Sequence, residues 1–315
     1  MTILVFGAGS VGQAVGTMLA ASGHSVDLIV RHRFVDAIRE KGLSVSGIFG
    51  EYSAEAQSIG AYESIDNVLD KPYDYVLLCT KSFDTKNSAD QIAALKSQNF
   101  TVVSLQNGCG NLECITEVFG AERSLGGRVI TGFTIESPGK IRITVTADDV
   151  HIGGGIEGSI SENARVIAAA INESGLPCVA TAHIQRDLFA KLLYNCALNP
   201  LGAALGVHYG ALGDDPHTRT VMDSVIDEVF AVIAAMGGST HWASASDYRE
   251  FFYGTQIPAT YKHRSSMLQD IEKGKRTEVE SLTGYVGAQG KLYGVATPVS
   301  DTLSEIIRFK SAEKN

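Results

Sequence analysis

Residues 3–12 read Ile3-Leu4-Val5-Phe6-Gly7-Ala8-Gly9-Ser10-Val11-Gly12. Four apolar residues in a row suit a buried parallel strand. Three glycines follow at G-x-G-x-x-G spacing, and Val11, Val15, Met18 and Leu19 then recur on one helical face. In such a strand–turn–helix each glycine has its own task. Gly7 permits the tight turn, Gly9 lets a pyrophosphate approach the backbone, and Gly12 lets the helix lie close to the strand. The unbonded N–H groups of the helix N-terminus then face the phosphates. Gly7, Ala8, Gly9, Ser10, Val11 and Gly12 are therefore read as a dinucleotide phosphate loop. In a chain with 33 glycines the spacing alone says little, and the order of strand, turn and helix gives it weight.

Working outward, Val26–Val30 reads as the next strand, and its end selects the nucleotide. An NAD site usually places an acid about 20 residues after the glycines, on the ribose hydroxyls. Here Arg31 stands at the strand tip, followed by His32 and Arg33, while Asp27 lies inside the strand. A guanidinium makes charge-assisted bonds to a 2′-phosphate. The cofactor expected is NADP, as NADPH, with Arg31 reading that phosphate.

A chain of 315 residues suggests two domains, since single cores stop growing near ~250–300 residues. Its 44% hydrophobic and 19% charged residues describe an ordinary globular protein. A net charge of −9 argues against nucleic acid or a polybasic membrane contact, although a few local cations still suffice for an anionic small molecule. The cysteines Cys79, Cys109, Cys114, Cys178 and Cys196 are odd in number and scattered, without metal-ligand spacing. They read as free thiols in a cytoplasmic protein with no metal, Cys79 lying in the core. The apolar start lacks a basic flank, the first Lys or Arg being Arg31, so it does not read as a signal peptide. No other stretch reads as a membrane span.

Strand and helix patterns alternate through the first half. Tyr75–Thr80 and Thr101–Leu105 read as strands, which implies a mainly parallel sheet with helices on both faces. Lys81 and Asn107 each follow directly on a strand end, where ligands of such sheets bind. From Thr131 to Ile152 the pattern changes to antiparallel alternation (Ile141, Ile143, Val145), closed by Gly153-Gly154-Gly155. A helix over Ala164–Ser174 stops at Gly175, and Leu176–Ala180 reads as a last edge strand. The remainder reads as helices, most clearly Thr218–Met236, which leaves open a homodimer interface or a buried core for its apolar face. The expected architecture is an α/β Rossmann domain, doubly wound, over residues 1–182, followed by an all-α domain over 183–315.

The second half opens on Lys191-Leu-Leu-Tyr-Asn195-Cys-Ala-Leu-Asn199-Pro200. Lys191, Asn195 and Asn199 fall at i, i+4 and i+8 and share a helix face. Pro200 is expected to kink or stop that helix. Further on, Thr277 and Glu280 fit a capping box, which would put Glu278 in a first helical turn where the dipole favours a carboxylate. Asp270 reads equally well as a structural partner of nearby basic residues.

The chain resembles the ketopantoate reductase (2-dehydropantoate 2-reductase) family. The matching pieces are the glycine loop, Lys81, Gln106-Asn107-Gly108, Lys191-x-x-x-Asn195-x-x-x-Asn199-Pro-Leu, Ser266-Met-Leu-Gln-Asp270 and Thr277-Glu278, in order over almost the whole chain. The resemblance implies reduction of 2-dehydropantoate to pantoate with NADPH, on the path to pantothenate and coenzyme A. It implies Lys191 as the proton donor to the keto oxygen and Glu278 as the group that holds Lys191 and contacts the substrate. Asn195 and Asn199 would bind the substrate's hydroxyl end and Ser266 its carboxylate. Asn107 and Lys81 would act where cofactor and substrate meet. Two alternatives remain: a sister reductase of another 2-oxo acid or an imine, and a nucleotide sensor without turnover.

Overall fold

Residues 1–97, 99–154 and 157–312 are described by the structure, a computed structural model. The strands are β1 (Thr2–Phe6), β2 (Ser25–Ile29), β3 (Leu43–Gly47), β4 (Tyr52–Ala54), β5 (Ile59–Tyr62), β6 (Tyr75–Leu78), β7 (Thr101–Ser104), β8 (Ser124–Arg128), β9 (Thr131–Ser137), β10 (Lys140–Thr146), β11 (Val150–Gly154) and β12 (Cys178–Ala180). The helices are α1 (Ser10–Ala21), α2 (His32–Lys41), α3 (Thr85–Ile92), α4 (Asn111–Phe119), α5 (Glu162–Glu173), α6 (Ile184–Leu205), α7 (Tyr209–Asp214), α8 (Pro216–Ala235), α9 (Ala245–Phe251), α10 (Ile257–Ala259), α11 (Ser266–Glu272), α12 (Thr283–Tyr293) and α13 (Pro298–Ala312). The chain divides into two compact units, Met1–Asn107 with Asn111–Gln185, and Gly108–Gly110 with Arg186–Asn315.

In the first unit eight strands pair in the order β12-β11-β8-β7-β6-β1-β2-β5. Every pairing is parallel except β11 against β8. Alternation along β1 divides the core. Ile3 and Val5 face α1 and α5, while Leu4 and Phe6 join the cluster holding Ala89 of α3 and Ile115 of α4. Strand order reverses between β1 and β6, which is the point where such sheets open a ligand crevice beyond their carboxyl ends.

The antiparallel pattern after Thr131 is real but serves a second sheet, β4-β3-β10-β9. There β10 runs antiparallel to β9 and parallel to β3. α1 packs on this sheet as well as on the large one, which explains why every residue from Gly12 to Leu19 is buried. β11 then returns to the large sheet, and β12 forms its edge. β11 ends at Gly154, and Gly155 of the glycine triplet lies outside the described residues.

The second unit is helical. α8 begins two residues earlier than its apolar repeat, because Asp215 caps it by accepting from His217 N at 2.8 Å and Thr218 N at 3.1 Å, with Pro216 in its first turn. Of the kink or stop expected at Pro200, the stop does not occur: α6 runs from Ile184 to Leu205 with the proline inside. The missing N–H removes one helical bond, but Leu192, Leu193, Cys196, Ala197, Leu198, Leu201 and Ala203 are all buried in one core cluster. That packing outweighs a local cost of ~3 kcal/mol.

Candidate active site

Main-chain hydrogen bonds shape the loop after β1. Gly7 N and Ala8 N donate to Ile29 O at 3.1 and 2.9 Å, and Gly9 N donates to Gly7 O at 2.7 Å. Gly7 has φ +86°, and a Cβ there would lie 2.3 Å from Thr80 Cγ2 and 2.7 Å from Thr80 N. Left-handed backbone and contact with the segment after β6 both require glycine. A Cβ on Gly12 would meet Val5 Cγ1 at 2.9 Å and Cys79 Cβ at 3.2 Å, so this glycine sets the closeness of α1 to the sheet.

Gly9 differs. It is exposed, and the nearest protein atom to a Cβ built there is Gly7 O, at 4.0 Å. No protein contact asks for glycine at this position. Gly9 is also the N-cap of α1, with no capping side chain and no acid in the first turn. The N–H groups of Ser10, Val11 and Gly12 have no acceptor within the helix. Open space, bare donors and the positive end of a 12-residue helix fit a dinucleotide pyrophosphate.

At the tip of β2, exposed Arg31 caps α2 through its main chain, its carbonyl accepting from Phe34 N at 2.9 Å. Arg33 lies over the Phe34 ring at 4.7 Å. His32 Nδ1 meets Glu63 Oε1 at 2.6 Å, and that hydrogen bond holds the imidazole pKa above its ordinary value. The tip is thus rich in cations, as a 2′-phosphate requires, with Glu63 reaching it from the end of β5 and Asp36 close by on α2.

Gln106, which the sequence marks only as part of the Gln106-Asn107-Gly108 run, sits at the centre of a hydrogen-bond network. Its Nε2 donates to Thr85 Oγ1 at 2.9 Å, to Thr80 O and Thr80 Oγ1 at 3.1 Å each, and to Lys81 O at 3.4 Å. Ser104 Oγ donates to its Oε1 at 3.0 Å. Asn111 Nδ2 then donates to Asn107 O at 3.0 Å, while Asn111 Oδ1 accepts from Thr85 Oγ1 at 2.8 Å. This buried network ties the end of β6, which carries Lys81, to the end of β7, which carries Asn107. A polar side chain immediately after a buried strand was the available signal.

In the second unit, Lys191, Asn195 and Asn199 all lie on α6, partly buried at Lys191 and 7% and 3% exposed at the asparagines. Tyr209 OH donates to Asn199 Oδ1 at 2.5 Å. Ser265, fully buried, caps α11 by accepting from Leu268 N at 3.0 Å, and its hydroxyl donates to Asn199 O at 3.5 Å. Ser266 is the exposed first residue of that helix. Asp270 lies one turn further along, its carbonyl accepting from Lys275 N at 2.8 Å. Buried Glu278 precedes a single 3₁₀ turn, Val279–Ser281. The expected Thr277–Glu280 capping box is absent. Glu280 instead takes Arg308 of α13 in a two-pronged pair at 2.8 and 2.7 Å, a stronger interaction than a side-chain cap. Gly108, at φ +83°, sits against Ser281, whose carbonyl accepts from Cys109 N at 2.9 Å. This places the residues after Asn107 beside the turn that follows Glu278.

Burial pushes the Cys79 thiol up to about 12 and the Cys196 thiol higher still, so neither supplies a thiolate. Among the described residues no group of His, Cys, Asp and Glu is placed to hold a metal.

A dinucleotide loop at the switch point of a doubly wound sheet, followed in the chain by helices bearing a lysine–asparagine stripe, defines a nucleotide-dependent oxidoreductase. Residues 3–155 match the family described as Ketopantoate reductase PanE/ApbA, and residues 183–311 match Ketopantoate reductase PanE/ApbA C terminal. The chain belongs to the ketopantoate reductase family. It is 36% identical to 2-dehydropantoate 2-reductase of Aquifex aeolicus over 98% of this chain and 97% of that protein. Its fold is similar to a PanE/ApbA family ketopantoate reductase from Ralstonia eutropha, with TM-score 0.87, 27% identity and 100% and 99% of the two chains covered. It is also similar to D-mandelate dehydrogenase with NADH and anilino(oxo)acetate, with TM-score 0.86, 26% identity and both chains fully covered.

Proposed function

We propose that this chain reduces 2-dehydropantoate to pantoate with NADPH, a step toward pantothenate and coenzyme A. The observation that carries the proposal is the stripe Lys191–Asn195–Asn199 on α6, a cation and two amides set among the buried apolar residues Leu192, Leu193, Cys196, Ala197, Leu198 and Leu201. A solvated face would not be buried in this way, and a nucleotide sensor without turnover would have no use for a proton donor aligned with two amides.

A reduced nicotinamide, when bound, supplies the hydride that reduces the keto carbon. Lys191 holds a proton for the keto oxygen, stabilises the negative charge that grows there, and gives the proton up as the alcohol forms. Glu278 orients Lys191 and contacts the substrate. Asn195 and Asn199 bind the hydroxyl end and Ser266 the carboxylate. Gly7, Ala8, Gly9, Ser10, Val11 and Gly12 cradle the pyrophosphate, and Arg31 takes the 2′-phosphate. Lys81, Asn107 and Glu278 complete the cofactor site. Residues 1–182 carry the cofactor role and 183–315 the substrate role. The protein works in the cytoplasm, in keeping with five free cysteines. It assembles as a homodimer, in keeping with Leu292 and Phe309, which are 72% and 63% exposed on α12 and α13. Among the described residues no helix is long and apolar enough to cross a membrane.

The likeness to D-mandelate dehydrogenase favours a second reading, a sister reductase of another 2-oxo acid. Loss of reduced-nicotinamide absorbance with 2-dehydropantoate, beside pyruvate, 2-oxoisovalerate, 2-oxoglutarate and benzoylformate, separates the two. Turnover confined to 2-dehydropantoate is expected. Faster turnover on any of the others would overturn the substrate assignment and keep the class.

A further inference from the structure

An asparagine amide is nearly symmetric in shape, so a site that needs a donor must also dictate which end points outward. Asn199 is 3% exposed, and its Oδ1 accepts from Tyr209 OH at 2.5 Å. Tyr209 is itself 2% exposed and sits at the first position of α7. Its main chain is anchored where Tyr209 N donates to His263 O at 3.0 Å. Its ring is wedged between Tyr194, at 5.8 Å edge-on, and His263, at 5.1 Å. The phenol is therefore aimed, and Asn199 is its hydrogen-bond partner. A buried hydroxyl with one partner donates, because otherwise its hydrogen is left unpaired in a low-dielectric interior. Burial pushes the Tyr209 phenol well above its ordinary pKa, so the proton to be donated is present at every working pH.

We propose that Tyr209 is a positioning residue that locks the Asn199 amide with Oδ1 inward and Nδ2 outward, so that Asn199 serves the substrate as a hydrogen-bond donor. The Nδ2 end has no partner among the described residues. Nδ2 is not shut away from solvent, so water meets it in the free protein and an alcohol oxygen can take that water's place. The ligand end facing Asn199 is thus an oxygen that accepts, and an alkyl group there leaves the donor unmet. This rests on the reading that Asn199 contacts the substrate's hydroxyl. It adds that Tyr209, from a different helix, confers the preference for hydroxylated over plain 2-oxo acids.

The test is a double-mutant cycle of Tyr209→Phe and Asn199→Ala, read as KM and kcat on 2-dehydropantoate and on 2-oxoisovalerate, which lacks the hydroxyl. Phe keeps the ring and its packing and removes only the donor. Tyr209→Phe is expected to raise KM for 2-dehydropantoate ~10-fold, with kcat changed about twofold or less, because the amide is then free to turn its acceptor outward. KM for 2-oxoisovalerate and for NADPH should hold, as should the melting temperature to within a few degrees. In the Asn199→Ala background, Tyr209→Phe should add nothing. If Asn199→Ala raises KM and Tyr209→Phe does not, the positioning role is wrong and the substrate contact stands. If Tyr209→Phe lowers kcat and melting temperature while affecting both oxo acids alike, its role is structural and the proposal fails. If Asn199→Ala leaves KM for 2-dehydropantoate unchanged, the contact reading itself is wrong, and the proposal falls with it.

Discussion

Replacing Gly9 with alanine separates what the fold requires of the phosphate loop from what a ligand requires. At Gly7 and Gly12 the protein itself demands glycine. A Cβ would lie 2.3 Å from Thr80 Cγ2 in the first case and 2.9 Å from Val5 Cγ1 in the second, and Gly7 also holds φ +86°. Gly7→Ala should therefore cost about 2–4 kcal/mol, summing left-handed strain and overpacking. At Gly9 the backbone is extended, at φ −76° and ψ −153°, and the nearest atom to the new methyl is 4.0 Å away. An N-cap loses up to ~1 kcal/mol on going to alanine. The unfolded chain loses freedom worth about 0.4–1 kcal/mol in the opposite sense. The two offset, and Gly9→Ala should melt close to the parent. A methyl placed where the pyrophosphate meets the backbone should nevertheless cost about 1.5–3 kcal/mol of binding, or roughly 10- to 100-fold in the NADPH Kd. Thermal unfolding of the nucleotide-free protein and a fluorescence titration with NADPH read the two quantities separately. Parental affinity in a stable Gly9→Ala protein would refute the reasoning, since the phosphates would then not pass over Gly9.

Four further outcomes are expected. Lys191→Ala should lower kcat by roughly 10²- to 10⁴-fold with the circular dichroism unchanged; near-normal turnover would remove Lys191 from proton transfer. Arg31→Ala should weaken NADPH by about tenfold or more and NADH hardly at all, and equal losses in paired titrations would show that Arg31 does not read the 2′-phosphate. Gln106→Met should cost about 1–3 kcal/mol in urea unfolding and weaken NADPH, because it orphans the buried groups that join the Lys81 and Asn107 loops; a parental unfolding midpoint would contradict that role. The Arg308 hydrogen bond holds the Glu280 carboxyl below the usual carboxylate range. The stability this adds is complete above the unfolded-state pKa and is lost as pH falls through the lower, folded value. The pair is 40% and 47% exposed, so Arg308→Ala should cost about 1 kcal/mol or less at neutral pH. It should also flatten the acid limb of the stability–pH curve, and an unaltered acid limb would show that the pair is screened out.

The opening of the chain was legible because its signals are local. A strand, a glycine turn and a helix in immediate succession specify one another through backbone geometry, and Arg31 stands at a strand tip that periodicity alone can locate. The stripe on α6 was equally readable, since i, i+4 and i+8 share a face whatever surrounds the helix. Where reading failed, a distant residue decided. Pro200 does not stop α6, because buried neighbours such as Leu193 and Leu198 hold the helix through it. Thr277 and Glu280 form no capping box, because Arg308, 28 residues from Glu280, takes the carboxylate. The short strands β3 and β4 went unread, as a brief pleated run shows its pattern only once β10 lies beside it.

By itself the sequence determined that the chain winds a dinucleotide loop into a parallel sheet and follows it with helices bearing a lysine and two asparagines. It did so because helical and pleated periods are properties of neighbouring residues. Only the tertiary structure decided how those side chains are presented. The phenol of Tyr209 reaches Asn199 and the amide of Gln106 joins two strand ends because hydrogen bonds between remote residues form only after the backbone has brought them within 3 Å or so of each other.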